Sequence, residues 1–216
     1  YNILQGFINQ RNLQKELTER ALKLKEAELL ALQAQINPHF LYNTLESVNW
    51  KAIHLLGDEN EISFLTGKLA DLLRYSIENP DILVELREEM QHAENYVHML
   101  SFRYRNRFEV KWDIEQRIFC YKTIKLILQP LIENAIYHGL KEKKLKGSLK
   151  IKGRLIGEAI QLIVVDNGIG IDKKMLREIH ATLHNTDENQ YEHIGIFNVN
   201  QRLRLKFGTD YGIKIW

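Results

Sequence analysis

A proline interrupts a helical pattern near the start of this chain, and that break limits the fold more than any other feature. Over residues 32–50, Ala34, Ile36, Phe40, Leu41, Leu45 and Val48 recur at spacings that suit one face of a helix. Asn37-Pro38 falls inside the run. Proline within a helix removes a backbone donor, clashes with the preceding turn and costs about 3 kcal/mol or more. It also drives the residue before it away from helical geometry. The next residue is His39, and imidazole is the side chain whose charge changes most easily near neutral pH. Asn43, one turn on, is a polar residue on the same side. A costly break beside a nucleophile-capable ring points to chemistry. Against it stands the plain alternative that His39 is one of eight histidines, most of which in any chain are surface or core fillers.

Composition narrows the class. A chain of 216 residues makes one or two domains and can bury a sizeable core. Its 44% apolar and 27% charged content is that of an ordinary globular protein. A net charge of +2 argues for neither nucleic acid nor a membrane surface as partner. The single cysteine, Cys120, has no internal disulfide partner, fits a reducing compartment, and reads as a small, semi-buried apolar residue. No apolar run approaches 18 residues and no signal peptide is evident, so no membrane-spanning helix is expected. The chain opens on Tyr1 in what reads as mid-helix, so a piece of a longer protein is expected.

Residues 1–35 are rich in strong helix formers. Leu13, Leu17, Leu24, Ala27 and Ala31 fall on steps of three, four or seven, an approximate coiled-coil seam. A helix of about 35 residues spans roughly 50 Å, more than a small domain needs. A dimeric coiled coil entering from outside is therefore expected. The helix should run to about Leu56 and stop at Gly57-Asp58. A second, over 61–78, sets Ile62, Leu65, Leu69, Leu72 and Leu73 on one face and closes at Asn79-Pro80. Two such antiparallel helices form a hairpin, and two hairpins from two chains form a four-helix bundle. A third helix, over 87–103, carries Ala93, Tyr96, Val97 and Leu100 and leads to the next domain.

From Phe108 the period changes. Phe108, Val110, Trp112 and Ile114 alternate with Glu109, Lys111 and Asp113, as in a half-buried strand. Further strands are expected over 148–155 and 159–165, and helices over 122–140, 173–184 and 196–207. This mixture predicts an α+β domain with helices over one face of a sheet.

Three segments carry site-like chemistry. In Leu128-Gln129-Pro130-Leu131-Ile132-Glu133-Asn134-Ala135-Ile136-Tyr137-His138-Gly139-Leu140, Asn134 breaks an apolar helix face beside Glu133. Magnesium takes oxygen ligands and keeps waters beside nucleotide phosphates, so one amide oxygen suits it, although asparagine in a helix is more often surface or cap. In Val164-Val165-Asp166-Asn167-Gly168-Ile169-Gly170-Ile171, a carboxylate ends an apolar strand before two glycines. That carboxylate can accept a hydrogen bond from an exocyclic amine such as adenine's, though Asp-Asn-Gly is equally a turn signal. In His193-Ile194-Gly195-Ile196-Phe197-Asn198, a glycine opens a helix, whose free backbone donors can hold phosphates.

The eleven residues Gln35-Ile36-Asn37-Pro38-His39-Phe40-Leu41-Tyr42-Asn43-Thr44-Leu45 closely resemble the phosphoacceptor segment of the LytS/YesM-like sensor histidine kinases. Leu72-Leu73-Arg74-Tyr75-Ser76 is similar to that family's second bundle helix. The three site-like segments resemble, in the same order, the nucleotide-binding boxes of the GHKL ATPase and kinase superfamily. The resemblance covers about Ala27 to Trp216.

The resemblance implies a helical hairpin that dimerises into a four-helix bundle, followed by an α+β GHKL (Bergerat-type) ATP-binding sandwich. The domains would be a signalling coiled-coil helix over 1–26, a dimerisation and histidine phosphotransfer domain over 27–105 and a catalytic ATP-binding domain over 106–216, its C-terminal hairpin truncated. His39 would accept the γ-phosphoryl group of ATP, with Asn43 as auxiliary. Asn134 would bind Mg2+ and Asp166 would read the adenine amine. Gly168 and Gly170 would shape the base pocket, and Gly195, Asn198 and His138 would lie near the phosphates. Residues 173–194 would form a lid with a mobile polar section over 185–192.

Many other histidine kinases carry an acid directly after the phosphoacceptor, where this chain has Phe40, so Glu133 becomes the candidate base. Relatives usually have glycine at the lid end, where this chain has His193. The resemblance also implies that Trp216 falls inside a strand before the domain's last hairpin, leaving an open sheet edge. The partners implied are a second copy of the chain, a response-regulator receiver domain and an upstream membrane sensor joined through residues 1–35, with no nucleic acid. The chain would then be the cytoplasmic fragment of a cell-membrane protein. Two rival readings fit part of the sequence. A GHKL-type ATPase explains the second half but leaves the Asn-Pro-His segment without a purpose. A nucleotide-binding dimerisation module that transfers nothing is kept open by His193 and the missing terminal strand.

Overall fold

The structure, a computed structural model, describes residues 38–58, 60–77, 82–105, 107–140, 146–184 and 194–216. The expected coiled coil over 1–35, the break at Asn37, the stop at Asn79-Pro80, the polar section over 185–192 and His193 lie outside those residues. By compactness the chain divides between Thr44 and Leu45, and the two parts are taken separately.

Helix α1 (Pro38–Leu56) carries the end of the first part and the beginning of the second. Gly57, at φ 88°, ends it, its amide donating to the Ile53 carbonyl at 2.9 Å. Glycine reaches that left-handed conformation without the penalty a Cβ would bring. Asn60 then opens α2 (Glu61–Ile77): its Oδ1 accepts the Ser63 amide at 2.8 Å while its Nδ2 donates back to the Gly57 carbonyl at 2.6 Å. One side chain thus caps the new helix and holds the turn. Thr66 of α2 donates to Asn49 Oδ1 of α1 at 3.3 Å.

Strand β1 (Leu83–Glu85) leads directly into α3 (Leu86–Arg103). Leu86, Met90, Ala93, Val97 and Leu100 recur every three or four residues and are all buried. Burying a side chain of this kind is worth about 1.5–3 kcal/mol. This stripe makes α3 the spine of a core that also takes in Phe108, Ile118, Ile124, Leu128, Ile132, Leu149, Ile151 and Val199.

Strand β2 (Phe108–Ile114) follows, then a 3-10 turn at Gln116–Ile118 and strand β3 (Lys122–Ile124). The expectation of one helix over 122–140 is corrected here. Residues Lys122–Ile124 pair antiparallel with β1, Leu83 opposite Ile124. The backbone then turns through Leu126, at φ 59°, and only at Leu128 does α4 (Leu128–Asn134) begin, continuing as a π-helical turn at Ala135–Leu140. Three amides at that turn, those of Leu126, Ile127 and Leu128, donate to the wholly buried carboxylate of Glu89 on α3 at 2.8, 2.8 and 2.9 Å. A partner so far away in sequence is what sets the helix start.

Strands β4 (Gly147–Ile156) and β5 (Ala159–Asp166) complete a sheet of order β2-β4-β5, in which β2 and β4 are parallel and β4 and β5 antiparallel. On β4, Leu149 and Ile151 are wholly buried, while Ser148, Lys150 and Lys152 alternate with them and are only partly so. Helices α5 (Lys173–His184) and α6 (Ile194–Phe207) follow. The closing residues are irregular rather than the expected strand. Ile213 donates to Asn200 Oδ1 at 2.9 Å, and the Ile215 carbonyl pairs with His180 Nε2 at 2.7 Å. Side chains on α5 and α6 therefore hold this segment in place of a strand ladder.

Candidate functional site

The end of β5 and the π-helical turn lie against each other closely enough to exclude any side chain between them. A Cβ on Gly168 would stand 2.1 Å from the Gly139 carbonyl oxygen, which atoms cannot occupy. A Cβ on Gly139 would stand 2.7 Å from Asp166 Oδ1. The Ile169 amide donates to the Gly139 carbonyl at 3.1 Å. Asp166 Oδ1 accepts the Gly168 amide at 2.8 Å, so one carboxylate oxygen is spent on the turn. Asn167 extends the strand pairing past its end: its amide donates to the Ser148 carbonyl at 3.1 Å and its Oδ1 accepts the Ser148 amide at 2.8 Å. Beyond it Gly170 takes φ 74°. Asp172 caps α5, its Oδ1 accepting the amides of Lys174 and Met175 at 2.8 and 2.9 Å. Those two donors, Met175 foremost, hold its carboxyl below the usual carboxylate range.

Helix α4 sets the second group. Asn134 Nδ2 donates to the Pro130 carbonyl at 2.7 Å, which fixes the amide's orientation and leaves Oδ1 as its remaining atom. An amide oxygen is the hard donor that magnesium takes, so the residue fits the ion implied by the sequence. Among the described residues no three His, Cys, Asp or Glu side chains cluster at metal-binding distance. An ion here would rest on Asn134, phosphate oxygens and water. Glu133 Oε1 accepts the Tyr96 hydroxyl at 2.7 Å and Gln129 Nε2 at 3.0 Å. Burial, and after it the Glu133 carboxylate, pushes the Tyr96 phenol well above its ordinary range.

Gly195, in the first turn of α6, packs against α4, where an added Cβ would meet Pro130 Cβ at 3.3 Å. Asn198, one turn on, is exposed. Buried Asn200 ties α6 to its neighbours, donating to the Leu183 carbonyl of α5 at 3.1 Å and accepting the Ile213 amide. Arg204 donates to the same carbonyl at 3.1 Å.

Asp166 and Gly168 are thus brought to the end of the segment that carries Asn134, and Gly195 of α6 lies against Pro130, one turn before Asn134 on α4. His39 and the exposed Asn43 lie one turn apart on α1, in the other part of the chain from the α4–β5 site. The side-chain positions of His39 and His138 lie outside the described part. Gly139 was missed as a site residue because it read only as the end of a helical segment, and its signal, a glycine directly after His138, needs its contact with Gly168 to be understood. Tyr96 and Gln129, the partners of Glu133, gave no sequence signal beyond helix-face residues.

A carboxylate at a strand end, a glycine crossing that admits no side chain, and an amide oxygen on the adjacent helix define a nucleotide-binding domain of the GHKL kind. Residues 121–216 match the family described as histidine kinase-, DNA gyrase B-, and HSP90-like ATPase, and residues 27–108 match the family described as histidine kinase. The chain is 35% identical over 215 residues to sensor histidine kinase YesM of Bacillus subtilis, across all of this chain and 35% of that protein. It is 34% identical over 201 residues to sensor histidine kinase YpdA of Escherichia coli, across 90% of this chain and 34% of that protein. To sensor protein LytS of Oceanobacillus iheyensis it is 30% identical over 193 residues, across 89% and 32%. The chain belongs to the LytS/YesM-like sensor histidine kinases. It spans about a third of the length of these relatives.

Proposed function

We propose that the chain is the cytoplasmic kinase core of a two-component sensor histidine kinase, which phosphorylates His39 from Mg-ATP and passes the phosphoryl group to an aspartate of a response-regulator receiver domain. The observation that carries the reading is the crossing of Gly168 over Gly139, which holds Asp166 at the end of the segment bearing Asn134. Asp166 has one oxygen committed to the Gly168 amide, and the other would accept the adenine amine. Asn134 Oδ1 would hold the magnesium ion. That ion, when bound, supplies charge neutralisation at the phosphates. Gly195, Asn198 and His138 would lie along the phosphate chain, and Gly170 would shape the base pocket.

In the first step a neutral imidazole nitrogen of His39 attacks the γ-phosphorus. The N–P bond forms as the bond to the β,γ-bridging oxygen breaks and ADP leaves. The ring proton passes to Glu133. Positioning and electrostatic stabilisation supply most of the rate, because the protein has little covalent work to do in phosphoryl transfer. In the second step the receiver's carboxylate oxygen attacks the same phosphorus, and the N–P bond breaks as the ring takes a proton back from solvent, returning neutral His39.

Domain roles follow the same reading: a signalling helix over 1–26, dimerisation and phosphotransfer over 27–105, and ATP binding over 106–216. Val48, Trp50, Leu55, Leu56, Ile62 and Phe64 of the hairpin are large apolar residues left exposed in one chain. A second copy would cover them in a four-helix bundle. No described helix is long and apolar enough to cross a membrane. The membrane sensor would lie upstream of residues 1–35 in the longer protein.

Incubation with γ-labelled ATP tests the reading. Acid-labile label on the parent chain, absent from His39→Gln at unchanged ADP affinity, is the expected result. Free phosphate without protein label would mean an ATPase, and nucleotide binding with neither would mean a binding module.

A further inference from the structure

Glu133 is held by more than one element, and the way it is held singles out one of its two oxygens. Tyr96, on α3, donates its hydroxyl to Glu133 Oε1 at 2.7 Å. Gln129, one turn earlier on α4, donates Nε2 to the same oxygen at 3.0 Å. Both donors go to Oε1, and neither reaches Oε2. An ionised carboxylate only accepts, so the Gln129 amide must present its NH2 to Glu133 and its oxygen to the opposite side. There Gln129 Oε1 meets His92 Nε2 at 2.7 Å. Two acceptors cannot share that contact, so His92 carries its proton on Nε2. The His92 ring is itself fixed in orientation, stacked on Tyr75 of α2 with centroids 4.3 Å apart and planes 21° from parallel.

Resting on the reading of Glu133 as proton acceptor, we infer that Tyr96, Gln129 and His92 are positioning residues for its carboxylate, reserving Oε2 for the imidazole proton of His39. Two hydrogen bonds to Oε1 fix the plane of the group and draw charge to the bonded oxygen. The oxygen without them is the one open to accept a proton. His92 secures the arrangement by preventing Gln129 from rotating its amide, since a flipped amide would turn its oxygen against the carboxylate. Tyr75 carries this dependence to α2. The hairpin helix thereby has a side-chain route to the acceptor, through Tyr75, His92, Gln129 and Glu133 in turn. A merely structural network would show its loss as lower stability or nucleotide affinity. A positioning network slows the chemical step and does so only while Glu133 is present to be positioned.

The test uses the full chain, reading initial labelling rate at saturating γ-labelled ATP, ATP KM, and ADP affinity by calorimetry. Losing one hydrogen bond to a charged group is expected to slow Tyr96→Phe about tenfold or more. KM and ADP affinity should stay within about twofold, since the nucleotide contacts are made elsewhere. Glu133→Gln should be slower still, and the double variant Tyr96→Phe/Glu133→Gln no slower than Glu133→Gln alone. His92→Phe, which keeps the ring stacked on Tyr75 but loses the donor, should slow labelling by a smaller factor and be equally silent without Glu133.

Parental labelling by Tyr96→Phe beside a crippled Glu133→Gln would overturn the positioning role while leaving the base reading standing. So would an equal fold-loss from Tyr96→Phe with and without Glu133. Parental labelling by Glu133→Gln would remove the base reading and the inference with it. If Tyr96→Phe loses ADP affinity, Gln129→Met takes its place in the same cycle, since it removes the other donor at similar length.

Discussion

Glu89 Oε2 accepts the amide of Leu126 at 2.8 Å, and Leu126 sits at φ 59°, a conformation that costs an L residue roughly 1–2 kcal/mol. The same carboxylate takes the amides of Ile127 and Leu128 and the Tyr75 hydroxyl, so four neutral donors converge on one buried side chain. Glu89→Ala leaves three amides without their acceptor in a buried turn. It should lower unfolding free energy by at least about 3 kcal/mol, and Glu89→Gln by less, because one amide oxygen still accepts. Denaturant titration measures both. A loss under 1 kcal/mol for Glu89→Ala would mean that the turn holds itself.

Gly168→Ala should abolish nucleotide binding at concentrations where the parent saturates. Its methyl group would stand 2.1 Å from the Gly139 carbonyl, which is backbone and has no rotamer to escape into. Gly195→Ala meets only Pro130 Cβ at 3.3 Å and should cost a few-fold at most. Calorimetry with ADP on both variants checks the contrast, and equal losses would show that the crossing has no special role.

Asp166→Asn separates the two oxygens of that carboxylate. The amide oxygen can still accept the Gly168 amide, which leaves an NH2 facing the adenine amine. Adenine nucleotides should weaken by about 1.5–3 kcal/mol, the worth of a hydrogen bond to a charged group, while guanine nucleotides change less. Asn134→Ala should instead remove the magnesium dependence of binding. Competition between ADP and GDP, with and without the metal, reads both effects, and unchanged magnesium dependence would take Asn134 out of the ion's site.

Stability should fall on mild acidification through His92. Burial pushes its imidazole below the ordinary value of 6.5, and Lys125 adds to this; the hydrogen bond it donates to Gln129 and the Glu89 charge oppose it. The unfolded chain then binds the proton more readily than the folded one. The contribution is fully present above pH 6.5 and is lost progressively as pH falls from there toward the lowered folded value. Tm measured against pH should drop less steeply for His92→Phe than for the parent, and parallel curves would assign the acid sensitivity to other groups.

Periodicity read well wherever an element faced one core. Ala93, Val97 and Leu100 and the alternation along Phe108–Ile114 both appear where their spacing placed them, and Leu86 and Met90 extend the first stripe beyond the expected residues. It failed over 122–140, where apolar residues at mixed spacing conceal a strand, a left-handed turn and a late helix start. What decides that region is Glu89 and the ladder to Leu83, neither of which is local. The site followed the same division. Asp166, Gly168 and Asn134 announce their chemistry by residue type, whereas Gly139, Tyr96 and Gln129 matter through what they touch. A contact between distant segments leaves no mark on the spacing of either.

Because β2 and β4 run parallel, the chain between them has to return along the sheet before the ladder can close, and it carries β3 and α4 on the way. During synthesis, Phe108–Ile114 therefore leaves the ribosome well before the strand that pairs with it. Until β4 and β5 have been made, β2 lacks its ladder partner and the π-helical turn after Asn134 lacks the strands it packs against. Nascent chains halted between Ile114 and Gly147 should be the species that chaperones hold, and release should follow completion of β4. The nucleotide half of this protein is thus assembled in one late event.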